Sequence, residues 1–272
     1  MTRKGPTHGF LVDVARGAGA ALIFSLPILM TSEMWLLGHT MTPFRITLFL
    51  MLLMPMLVGL SYFSGFEDVT SAAAHVREGF IAYVIGAATA VSFLSVFGLI
   101  TRETPFREGL GMVTLQAIPA SIGAMLARTQ LGGEHVDDRK RREPRYGGEL
   151  FLMVVGAIFV AFNIAPTEEV PLIAFRITGW QALAIAVISI VIMHTFIYAL
   201  EFSGGSSVDN ETRVGLFFRF SATGYAIALL TSAYVLWSFG RFDGVPPGEM
   251  VLMATVLALP ATVGAAAARL IL

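Results

Sequence analysis

The sequence predicts an all-α membrane protein with eight transmembrane helices, built as two parallel four-helix repeats. Three observations lead there. Of 272 residues, 56% are apolar and only 14% charged, roughly half the charge of a soluble domain. The apolar residues fall in runs of about twenty, the length that crosses a bilayer as a helix. Short motifs also recur in the same order on either side of one polar linker. A mean hydropathy of +0.74 agrees with the first two.

The runs are Gly17–Leu37, Pro43–Phe63, Gly79–Ile100, Gly109–Ala127, Glu149–Ala165, Trp180–Leu200, Leu216–Phe239 and Glu249–Leu270. Pro27 interrupts the first run, which also carries Glu33 near its end. No A-x-A-like cleavage site follows it, so it is expected to be a retained span and not a leader. With eight spans, one side collects the N-terminus, the 2–3, 4–5 and 6–7 loops and the C-terminus. That side holds thirteen Lys and Arg against five on the other. The positive-inside rule then places both termini in the cytoplasm of a multi-pass inner-membrane protein.

Between the fourth and fifth runs lies Arg128–Gly148, polar and charged in both signs. It divides the chain into a first four-helix unit (1–127), a cytoplasmic linker (128–148) and a second unit (149–272). The halves match: AIPASIGAMLAR at Ala117–Arg128 and ALPATVGAAAAR at Ala258–Arg269 share seven of twelve residues. FRIT recurs at Phe44–Thr47 and Phe175–Thr178, each preceded by an acidic triplet, Thr31–Glu33 and Thr167–Glu169. Phe63-Ser-Gly65 answers Phe202-Ser-Gly204. Four spans per unit is an even number, so both units enter the membrane from one side. The repeats are therefore expected to be parallel, related by an axis along the membrane normal.

Ionisable groups at membrane depth are costly and are the first candidates for function. Glu33, Glu168 and Glu169 lie at the outer ends of spans 1 and 5, and Arg45 and Arg176 at the matched starts of spans 2 and 6. Pro166 and Pro171 bracket the second acidic pair, so the backbone there is expected to break and turn. Clustered carboxylates in an outward-facing cavity suit a hard cation, or protons shared between like charges. The structural alternative is that each Glu only pairs with its Arg, with Thr31 and Thr167 as helix N-caps. Pro119 and Pro260, followed by Gly123 and Gly264, are candidates for hinges or close helix packing. His194 inside span 6 is a secondary candidate, a relay or simply a hydrogen-bonded histidine.

A net charge of -1 argues against nucleic acid, and the absence of Cys removes disulfides and thiolate metal sites. No phosphate-binding, dinucleotide, zinc-protease or nucleophile-elbow motif occurs, so no enzyme activity and no cofactor is expected. Which metal, if any, is bound is left open, as is a homo-oligomer. The NIAPTEEVPLIA stretch Asn163–Ala174, with FRIT and the eight-span layout, resembles a bacterial family of integral membrane proteins, domain of unknown function 2391. That resemblance implies membrane location and bacterial origin and no mechanism. The expected function is a small transporter or channel for a cation or protons, with the lipid bilayer as surroundings. The alternative is a non-transporting sensor or assembly partner whose repeats form only a stable bundle.

Overall fold

A computed structural model describes residues 6–64, 71–131, 146–202, 215 and 217–271, and every element among them is helical. The chain forms two compact units, Met1–Arg141 and Arg142–Leu272. The first contains α1 (Pro6–Leu29), α2 (Ser32–Thr40), α3 (Pro43–Ser64), α4 (Ala72–Val96) and α5 (Phe106–Leu131). The second contains α6 (Tyr146–Ile164), α7 (Glu169–Ala174), α8 (Gly179–Phe202), α9 (Thr223–Ser238) and α10 (Pro247–Ile271). A π-helical turn, Phe217–Ala222, leads into α9. Among the described residues seven helices are each long and apolar enough to cross a membrane, and a bent pair makes up to eight.

That bent pair corrects the first expected span. Gly17–Leu37 is not one rod: α1 stops at Leu29 and α2 departs at 86° to it. Pro27 lies two residues before the stop and has no amide hydrogen to donate, which weakens the end of the helix. Thr31 then closes it, its amide and its hydroxyl both donating to Ile28 O at 3.1 and 2.9 Å. Thr31 does stand at the N-cap of α2, but its side chain makes no capping bond there. The third span also shifts. α4 begins seven residues before the expected Gly79 and so takes in Arg77 and Glu78. Of the expected linker, residues 132–145 lie outside the described residues, while α5 runs on to Leu131 and α6 starts at Tyr146.

In the first unit α5 is the centre. It packs against α1, α2, α3 and α4, and 83% of its apolar window is buried against 33% for α3 and α4. Its small residues explain this. Ala117, Ala120, Ser121, Gly123 and Ala124 let neighbouring backbones close in where larger side chains would hold them off. The tightest approach is α2 on α5, where a Cβ on Gly111 would lie 2.1 Å from Gly38 O. In the second unit α10 takes the central place and packs on α6, α7, α8 and α9. Here Gly156 and Gly264 meet backbone to backbone, each lying under 2.5 Å from where the other's Cβ would need room. α5 and α10 run unbroken through Pro119 and Pro260. Ser121 and Thr262 donate back to the carbonyls of Ala117 and Ala258.

α4 and α9 end alike. Gly98 and Gly240 sit at φ 72° and 76°, a left-handed conformation that glycine enters without a Cβ penalty. The next amide reaches back in both, Leu99 to Leu94 O and Arg241 to Leu236 O, each at 2.9 Å. This cap aims the side chain at position 99 or 241 across the end of its unit.

Candidate functional site

The acidic triplets sit at two helix breaks that are constructed the same way. In the second unit α6 stops at Ile164, and Thr167 donates through its amide and its hydroxyl to Ile164 O at 3.0 and 2.8 Å. That repeats Thr31 on Ile28. The expected turn around Pro166 is therefore present, although Thr167 is not the N-cap of α7; Glu168 holds that place. Glu33 and Glu169 both fall in the first turn of the short helix after the break. Glu33 accepts a hydrogen bond from the Ser32 hydroxyl at 3.2 Å. Glu169 is held below the usual carboxylate range, chiefly by the Thr167 hydroxyl and then by its own amide.

A break exposes carbonyls, and those must find donors when water is scarce. In the first unit Leu29 O accepts from the Trp35 indole at 3.0 Å and Ile28 O from Gln116 Nε2 at 3.3 Å. In the second unit one residue does this work. Arg241 Nε donates to Ala165 O at 3.3 Å, Nη2 donates to Pro166 O, and Nη1 meets Glu168 Oε1 at 2.7 Å. The ion partner of Glu168 is thus Arg241, not the expected Arg176, which lies exposed in the turn after α7. Arg45 lies in the first turn of α3, its amide donating to Thr42 O at 3.1 Å. Gly123 faces the Ala20 carbonyl of α1, and Gly264 faces Gly156, so both mark helix crossings. Among the described residues no three His, Asp or Glu side chains gather as a metal site.

Three groups of polar residues were not anticipated. The Arg241 contact spans 73 residues and leaves no local sequence signal. At the opposite end of the second unit Arg269 Nη2 meets Glu149 Oε2 at 3.2 Å and its guanidinium lies 4.0 Å over Phe220. Arg219 stacks 4.7 Å over Tyr146, whose hydroxyl donates to Arg219 O at 3.0 Å. These contacts bind α6 and α10 to the π-helical turn. In the first unit Glu78 is buried at 8% exposure and takes a hydrogen bond from the fully buried Ser61, which also lies 3.0 Å from His75 Nδ1. His194 has a related partner, Ser221 Oγ at 2.8 Å from Nδ1, and its ring lies against Phe217.

The family described as "Putative integral membrane protein (DUF2391)" matches residues 13–272. No curated protein and no solved structure matches the chain. The chain therefore belongs to that family of integral membrane proteins, the one its NIAPTEEVPLIA stretch resembles.

Proposed function

We propose that this member of the family is a transporter or channel for protons or a small cation, and not an enzyme, built from two parallel four-helix repeats with cytoplasmic ends. The observation that carries the reading is the broken span with a carboxylate in the first turn after the break. Discontinuous helices place polar backbone and a carboxylate at membrane depth, where an ion can exchange water for protein oxygens. Glu33 and Glu169 occupy matched places of this kind, while Glu168 is already neutralised by Arg241. The repeat reading draws support from the paired Thr31 and Thr167 bonds, the paired Phe-Gly caps and the like order of helix contacts in the two units.

Flux into proteoliposomes, with a panel of ions and with or without a pH gradient, tests the proposal. Wild type should conduct, and Glu33→Gln and Glu169→Gln should each lower flux at least about tenfold with folding unchanged, as expected when a charged ion ligand is lost. Unaltered flux in both variants would remove the acids from the pathway. A second reading, a non-transporting sensor or assembly partner, has its own support. The helix crossings are closed by glycine contacts, and a groove of about 490 Å3 between α1 and α4 is lined by apolar residues such as Leu22, Val84, Ile85 and Phe93. Wild-type protein that passes no ion in the panel would favour it.

A further inference from the structure

We propose that Ser61, His75 and Glu78 form a proton-binding relay inside the first unit. The juxtaposition has three parts. α3 supplies a serine with no exposed surface, and α4 supplies His75 and Glu78 three residues apart on the same face. Ser61 Oγ donates to Glu78 Oε2 and lies 3.0 Å from His75 Nδ1. Gly79 lies at this crossing of α3 and α4, where a Cβ would be in ordinary contact with Val58 and Leu57.

A serine has one hydroxyl proton, and this one has two neighbours competing for it. With a neutral imidazole, two arrangements satisfy all three groups. In one, Glu78 is ionised, Ser61 donates to it, and His75 Nδ1–H donates to Ser61. In the other, the Glu78 carboxylic acid donates to Ser61, Ser61 donates to an unprotonated His75 Nδ1, and the histidine proton is on Nε2. The second arrangement holds one proton more. A proton arriving at Nε2 releases the Nδ1 proton to Ser61, which passes its own to Glu78. No other bond breaks, and the serine ends as it began. His75 is half-buried and Glu78 is buried, so the relay runs from the accessible start of α4 inward.

Few other charges face the trio. On α4 itself Arg77 is exposed, and Tyr83 lies further along the helix. α3 adds Tyr62, whose ring stands 5.6 Å from that of His75, with Arg45 at its other end. α1 adds the exposed Arg16. The ionisable side chains described on α5, Arg107 and Glu108, sit at its far end. The second unit differs. Nineteen residues before the shared Phe-Gly cap, where the first unit has Glu78, it has the buried Phe220. The relay belongs to one half of the chain and does not depend on the acids at the breaks.

Infrared difference spectroscopy during a pH titration reads it directly on the full-length protein in lipid, with histidine tautomers followed by nitrogen NMR. No transported ion is needed, so a failure of flux and a failure of the relay are told apart. In wild type a single carboxylic acid band and the His75 tautomer change should share one midpoint. Glu78→Gln should delete the band, and Ser61→Ala should separate the two midpoints. Should Ser61→Ala not fold, His75→Gln must shift the midpoint of the remaining carboxyl band. The proposal is overturned if the midpoints still coincide without the Ser61 hydroxyl, if the His75→Gln band does not move, or if no band depends on Glu78.

Discussion

The two helix breaks solve one problem with different chemistry. Each ends a helix with a threonine bonded to the carbonyl three residues back, and each leaves the following carbonyls facing the end of the unit. In the first unit neutral groups serve the break, the Trp35 indole at Leu29 O and the Gln116 amide at Ile28 O, the carbonyl that Thr31 also holds. In the second a single guanidinium answers two carbonyls and a carboxylate. The residue at the same point of the helix cap decides which. It is Leu99 in one unit, packed near Leu29, Leu94 and Met112, and Arg241 in the other. A fold can thus keep its backbone and exchange an apolar seal for an ionic one by changing a single side chain at a fixed cap.

The comparison breaks most sharply at the helix crossing. Ala20 of α1 faces Gly123, whereas the equivalent Gly156 of α6 faces Gly264. A Cβ on Gly156 would come 2.2 Å from Gly264 O, and backbone cannot step aside as a side chain can. Gly156→Ala should cost about 3 kcal/mol or more in reversible unfolding, at the top of the overpacking range. Ala20→Gly should cost only about 1 kcal/mol.

Arg241→Leu, which gives the second unit the residue of the first, should come next. It leaves two carbonyls without donors and Glu168 without its cation, about 2–4 kcal/mol by thermal unfolding in mild detergent. Arg241→Lys should recover only part, because one ammonium cannot span three acceptors in the fork geometry. A full recovery would mean that charge alone, not the fork, holds the break. Trp35→Phe should cost less, about 1 kcal/mol, since it removes one neutral hydrogen bond and keeps the ring.

The smallest effect is a proton equilibrium. Glu169 is held below the ordinary carboxylate range, so its contribution to stability is complete above that range and is lost as pH falls through the lowered value. Thr167→Val should move the carboxyl titration of Glu169 upward, read by carbon NMR; the exposed carboxylate itself adds little to melting, and the loss of the hydroxyl bond to Ile164 O accounts for a separate cost of about 1 kcal/mol. An unmoved titration would show that the Thr167 hydroxyl does not hold it.

The spans were legible because a bilayer demands length and apolarity, and Pro166 with Pro171 announced the second break in the residues themselves. The first break was only half legible. Pro27 marked a weak point, but Met34, Trp35, Leu36 and Leu37 continue the apolar run, and hydropathy cannot see a right-angle bend that keeps the same residues in apolar surroundings. Gly38 against Gly111 decides where α2 goes, and neither glycine marks the other in sequence. Arg176 was a reasonable partner for Glu168 by proximity along the chain; Arg241 won because the helix cap at Gly240 points it there. Glu78 escaped notice because a charged residue at the edge of an apolar run reads as loop, whereas α4 starts a full two turns earlier.

The bend after Leu29 also bears on the lipid around the protein. From Arg16, the last charge before it, α1 offers 13 residues up to Leu29, roughly 20 Å of apolar helix at 1.5 Å per residue. A hydrocarbon layer is about 30 Å deep, and α2, turned 86° away, adds almost none of the missing depth. The bilayer must thin at this edge, or the break must sit below the headgroups, a mismatch that costs fractions of a kcal/mol per ångström. Acyl-chain length thereby becomes a control on this end of the first unit: short lipids let water reach the carbonyls of Ile28 and Leu29, and long lipids leave them to Gln116 and Trp35.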